Sequence, residues 1–214
     1  ANDTQADGLT HSSIWCIVKD NQGTLWLGTY FGGVNYFNPE YEIYTRYSYS
    51  SNEKKGLSNP VVGRTIEDRD GNLWIGTEGG GLNYYNRRTR EFKWYRPQEG
   101  RNSISHNNVK ALYYDADKEI IWIGTHLGGL NKLDIRSGHF THYRMEEGNP
   151  NTLPSDIIRD IIPYKSLLII ATQNGVCLFD PANGQCQQLF KDSKEGKSIK
   201  MVADVTFDSE GTLW

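Results

Sequence analysis

The side chains in this chain best suited to chemistry come in pairs, each set between a threonine and a glycine: Tyr30-Phe31, Glu78-Gly79, His126-Leu127 and Gln173-Asn174. Sugar recognition needs aromatic faces for the C–H sides of the ring and planar polar groups for its hydroxyls, and Tyr30, Phe31, Glu78, His126 and Gln173 offer both. With Asn174 they suit a neutral or weakly charged glycan. Trp15, Lys110 and Arg159 share a second recurrent position, and the two cations would add recognition of an acidic sugar. Solvated turns use the same residue types, and that plainer reading stands beside the binding one.

Catalytic chemistry finds less support. The five histidines, His11, His106, His126, His139 and His142, are scattered among turns and outer strands. His139 with His142 has no third ligand nearby for zinc, so no metal and no cofactor are expected. A glycosidase needs two carboxylates facing each other across a cleft, and lone loop acids such as Glu78 or Asp156 bring no partner with them. No Ser-His-Asp or Cys-His arrangement follows from the spacing.

The elements that must hold these residues are repeats. Leu25-Trp26-Leu27-Gly28-Thr29 recurs as Leu73-Trp74-Ile75-Gly76-Thr77 and Ile121-Trp122-Ile123-Gly124-Thr125, fades into Leu168-Ile169-Ile170-Ala171-Thr172, and reappears as Leu213-Trp214. The steps from Trp26 are 48, 48, 47 and 45 residues, in the range of propeller blades. In the second repeat a β-branched run (Val61 to Glu67), a turn, Leu73 to Thr77, a Gly-rich turn, Leu82 to Tyr85, a polar turn and Phe92 to Tyr95 read as four hairpin-linked strands, A to D. The expectation is an all-β propeller: four four-stranded blades, near 9–56, 57–103, 104–152 and 153–198, plus the start of a fifth at 199–214. The variable pairs then lie in the B–C turns, and Trp15, Lys110 and Arg159 are second in their A strands. Long polar connectors at 49–58, 97–107, 145–155 and 191–199 join the blades.

Within this frame Trp26, Trp74 and Trp122 are expected to fill the wedge between neighbouring blades, and Gly28, Gly76 and Gly124 to permit close backbone approach. The third-strand Asn35, Asn83 and Asn131 should make a structural hydrogen bond that Cys177 gives up. If 181–184 turn a hairpin, Cys186 falls opposite Phe179 with Cys177 two residues further along; a bridge across that diagonal is strained, so Cys16, Cys177 and Cys186 are expected to be free, mostly buried thiols.

A net charge of −3 and the absence of Lys/Arg-rich runs argue against nucleic acid. No apolar stretch approaches a membrane span, so no membrane contact by this segment is expected. The sequence stops in mid-strand, and an open arc would expose apolar faces at both ends. A fragment of a larger ring is therefore expected, or self-association as a homo-oligomer.

The pattern Asp-x-x-Gly-x-Leu-Trp-Ile-Gly-Thr-x-x-Gly-Gly-Leu, running without gaps from Asp68 to Leu82, resembles the two-component regulator propeller repeat. The likeness covers essentially the whole chain: repeats one to three strongly, repeat four weakly, the fifth as far as its Trp. It implies the periplasmic sensor region of a Bacteroides-type hybrid two-component system, in which two seven-bladed propellers precede a β-sandwich, a membrane span and a histidine kinase. The implied role is non-catalytic: detection of oligosaccharides derived from a polysaccharide, relayed to the kinase. A protein-interaction scaffold, or a propeller lyase or hydrolase, are the competing expectations.

Overall fold

The computed structural model describes residues 9–38, 43–190 and 199–214. Of the connectors named above, the last lies outside the described residues except for Ile199. Among the described residues sixteen strands form four sheets, each built from four consecutive strands in order. The first holds β1 (Ile14–Lys19), β2 (Leu25–Thr29), β3 (Val34–Asn38) and β4 (Ile43–Tyr47); the second β5 (Val62–Glu67), β6 (Leu73–Thr77), β7 (Gly81–Asn86) and β8 (Glu91–Tyr95). The third holds β9 (Val109–Asp115), β10 (Ile120–Thr125), β11 (Leu130–Asp134) and β12 (His139–Tyr143); the fourth β13 (Ile158–Tyr164), β14 (Leu167–Thr172), β15 (Gly175–Phe179) and β16 (Cys186–Leu189). The chain divides into two compact units, Ala1–Pro97 with Asn107–Val109, and Gln98–His106 with Lys110–Trp214.

In the first unit β2, β3, β5, β6, β7, β8 and the connector residue Leu57 meet in one cluster of Trp26, Val34, Leu57, Val62, Leu73, Ile75, Tyr85 and Phe92. Val62, Leu73 and Ile75 are exposed by no more than 1%, and each such burial is worth roughly 1.5–3 kcal/mol against exposure. Trp26 stacks on Tyr36 at 5.1 Å and meets Tyr85 of the next sheet at 6.2 Å. The expected wedge role is thus observed. A Cβ on Gly28 would stand 2.6 Å from both Cys16 Sγ and Val62 Cγ1, so close contact between sheets demands glycine there.

Asp20 explains the six-residue offset between aspartate and tryptophan in the repeat. Its Oδ1 accepts the Gln22 and Thr24 backbone N–H groups at 2.9 and 2.8 Å, closing the turn around Gly23 (φ 82°), while Oδ2 accepts Trp26 Nε1 at 2.8 Å. Asp68 with Trp74, and Asp208 with Trp214, repeat the bond at 3.1 and 2.8 Å. One carboxylate therefore sets both the hairpin and the indole orientation. Ala116 holds the corresponding place in the third repeat.

The second unit carries β10 to β16, the rest of β9 and the segment after it. Its core gathers Trp122, Leu130, Ile158, Ile161, Ile170, Cys177, Phe179 and Cys186 among others, with Trp122 edge-on to Phe179 at 5.4 Å. The three thiols are free, as expected: Phe179 faces Cys186 in the ladder, and the diagonal leaves Cys177 Sγ 3.3 Å from Cys186 Sγ. In residues 199–214 the expected fifth A strand is absent as a regular element. A single bridge, Phe207 to Leu213, is what forms around the Asp208–Gly211 turn.

Candidate functional site

Each B–C turn is locked by its own backbone and by threonine. Thr29 Oγ1 donates to Gly33 O, Thr77 to Gly81 O and Thr125 to Gly129 O, each at 2.9 Å, and Thr172 closes the turn that is one residue shorter, to Gly175 O at 2.8 Å. The incoming connector is clasped from below by the third-strand asparagines, all fully buried. Asn35 Oδ1 accepts Thr10 N at 3.1 Å, Asn83 accepts Ser58 N at 2.8 Å and Asn131 accepts Ser105 N at 2.9 Å. Cys177 stands at this position in the fourth sheet, confirming the expected loss.

What aims the side chains is a bulge in the first strand of the sheet. Pairing of β1 with β2 slips between Ile14 and Cys16, and pairing of β13 with β14 slips between Ile158 and Asp160. Trp15 and Arg159 are the extra residues, and a bulge re-aims its unpaired residue. Each therefore meets the first residue of its B–C turn. Trp15 stacks on Tyr30 at 5.4 Å with the rings 13° from parallel, and Arg159 Nη2 donates to Gln173 Oε1 at 2.6 Å. β5 slips likewise, between Val62 and Thr65, where Gly63 leaves no second-position side chain to meet Glu78.

In the first unit Phe31 lies edge-on to Tyr30 at 4.5 Å, and His11 approaches both rings at 6.4 and 6.3 Å. Trp15, Tyr30 and Phe31 are 53%, 37% and 59% exposed. Three large aromatic faces held open to solvent and braced against one another form a platform, whereas core rings such as Trp74 are 1% exposed. His11, which the sequence pattern places among scattered solvated histidines, belongs to this cluster; its offset of nineteen residues from Tyr30 carries no signal without the turn geometry.

The remaining candidates do not join the platform. Glu78 is half-buried, its N–H donating to Val61 O at 3.0 Å. In the second unit His126 lies 6.5 Å from His106; burial, His126 and the Arg144 charge hold His106 below the ordinary histidine value, so it is neutral at pH 7. Asn174 is exposed beside the Arg159–Gln173 pair, and Lys110 is half-buried at the second position of β9. Among the described residues no group of His, Cys, Asp and Glu is arranged to hold a metal ion. No helix among them is long and apolar enough to cross a membrane.

Three stretches, residues 8–31, 56–79 and 103–126, match the family model of the two-component regulator propeller. These three stretches are similar to two-component regulator propeller repeats. Each match ends within a B–C turn, so the matched stretches cover the A–B hairpin and the lock threonine, and in the first two also the Asp–Trp pair. The structure of this propeller chain is similar to the extracellular domain of the hybrid two-component system BT3049 from B. thetaiotaomicron, at 25% identity and a TM-score of 0.80, over 97% of this chain and 28% of that one. The extracellular domain of BT4673 from the same organism, described as a one-component system, aligns at 24% identity and 0.77, over 94% and 28%. This chain thus spans little more than a quarter of those domains. Streptogramin B lyase aligns at 13% identity and 0.67, over 97% and 63%, a likeness of fold alone. No curated protein matches the chain in sequence.

Proposed function

We propose that this chain is a non-catalytic, extracytoplasmic ligand-sensing segment of a hybrid two-component signalling protein, and that it detects oligosaccharides derived from a polysaccharide. The observation that carries the reading is the exposed stack of Trp15 on Tyr30 with Phe31 edge-on, because parallel aromatic faces at a locked turn suit the apolar sides of sugar rings. The repeat family and the description of the BT3049 neighbour support the sensory role and the extracytoplasmic location. On this reading the segment works with the remainder of a longer chain, or with a second copy of itself. A ligand with different affinity for two arrangements of such a pair would bias a kinase elsewhere in the protein.

Calorimetric titration with depolymerised glycans tests this. At least one oligosaccharide should bind, and the double variant Tyr30→Ala, Phe31→Ala should weaken it by about tenfold or more, the worth of roughly 1.4 kcal/mol, with an unchanged circular dichroism spectrum. Release of shortened sugars during the titration would replace this reading by an enzymatic one. Loss of fold in the double variant would show that the two rings belong to the core.

A further inference from the structure

At the opposite end of the strands from the B–C turns, the first unit contains a cleft of about 240 Å³ between its two sheets, walled by Trp26, Tyr36, Tyr47 and Tyr85 and floored by Asp20 and Arg87. Asp20 has no acceptor capacity left for a ligand. Its two oxygens are taken by Gln22 N, Thr24 N, Trp26 Nε1 and Arg87 Nη2, the last at 2.8 Å. Its side chain is fully buried, and its role is to fix Arg87, whose guanidinium sits 5.3 Å over the Trp26 ring and 3.5 Å from Glu67 Oε1.

What the cleft still offers is donors. Arg87 Nε is buried without a hydrogen-bond acceptor, and so is Glu67 Oε1 without a donor, so this neighbouring pair belongs to the packing beneath the cleft and not to its open surface. Arg90 lines the same cleft and has no ion-pair partner among the described residues. Tyr47 and Tyr85 share one hydrogen bond between their hydroxyls at 2.6 Å, which leaves one O–H free to donate. Burial and the Tyr85 bond push the Tyr47 phenol well above its ordinary value, so it remains a neutral donor.

Aromatic walls with an excess of cationic and hydroxyl donors fit a flat-faced ring carrying a negative charge. The volume lies just below the roughly 300–1,000 Å³ of sites for drug-sized ligands, which is room for one ring. We propose that this cleft binds a single sugar ring bearing an anionic group, the charge resting on Arg90 with the Tyr47–Tyr85 hydroxyl pair as a further donor. This site is separate from the Trp15–Tyr30 platform, and either can fail without the other.

The test is titration of the chain with glucuronate, glucose 6-sulfate, glucose and inorganic sulfate, read by calorimetry and by the NMR signal of the Trp26 indole N–H. At least one anionic sugar should shift that signal and bind about tenfold or more tighter than glucose, since charge-assisted hydrogen bonds are the strong ones. Arg90→Gln, a change at an exposed position, should reduce this to the glucose level, and Trp15→Ala should leave it in place. The proposal is overturned if neither anionic sugar moves the Trp26 signal, if glucose or inorganic sulfate binds as tightly, or if Arg90→Gln has no effect.

Discussion

Asp20→Ala removes one carboxylate and with it four hydrogen bonds: to Gln22 N, Thr24 N, Trp26 Nε1 and Arg87 Nη2. The Asp20 side chain is fully buried and that of Arg87 is 22% exposed, so little water can replace the lost partner. Breaking a buried ion pair costs about 3–5 kcal/mol, and losing neutral hydrogen bonds adds about 0.5–1.5 each. Arg87 keeps Glu67 at 3.5 Å as a second acid, which offsets part of this, and we expect a loss of about 3–4 kcal/mol. Asp20→Asn keeps an oxygen for the two backbone donors but points an amide at two other donors, so about 2 kcal/mol should be lost. Urea unfolding at neutral pH, followed by tryptophan fluorescence, measures both. A loss below about 1 kcal/mol for Asp20→Ala would refute the assignment of this carboxylate as the support of the hairpin and the indole. The dependence on pH follows. Burial by itself raises the Asp20 pKa, but the Trp26 and Thr24 bonds and the Arg87 charge outweigh it and hold the group below its ordinary value of 3.8. A depressed folded pKa means that the contribution is complete above the unfolded value and drains away as pH falls through the folded one. Acid should therefore destabilise the parent protein more steeply than Asp20→Asn.

Two further outcomes are expected. Gly28→Ala places a methyl 2.6 Å from Cys16 Sγ and Val62 Cγ1 and should cost about 1–3 kcal/mol through overpacking; an unchanged urea midpoint would mean that the sheets yield there. Cys177 and Cys186 are buried, and their mutual hydrogen bond together with burial pushes the Cys177 thiol well up, so neither should react with Ellman's reagent at pH 8 until the protein is unfolded. Rapid native labelling of either would contradict the closed core of the fourth sheet.

Much of this architecture is legible in the repeat. The spacing of Trp26, Trp74 and Trp122 marks the second strand of each sheet, the Gly28 position marks where neighbours touch, and the asparagines at 35, 83 and 131 mark the connector clasp. The Asp–Trp bond is also readable, as an offset of six residues at Asp20, Asp68 and Asp208, although the turn role of aspartate masks it. The site was less accessible. Tyr30 and Phe31 can be picked out as variable turn residues and Trp15 as a recurrent strand position, but their stacking depends on a one-residue slip in the ladder that leaves no mark in composition or period. The same slip pairs Arg159 with Gln173, while Glu78, His126 and Lys110, chosen on the same grounds, stay apart from the platform. His11 reaches it through a turn whose path no pattern announces.

The threonine lock has a consequence for how such chains diverge. Because Thr29 Oγ1 and Gly33 O close the loop between them, the side chains of residues 30 and 31 take no part in the lock itself. Exchanges there leave the closure of the turn intact, so preference for one molecule over another can drift while the frame of the blade stays where it was.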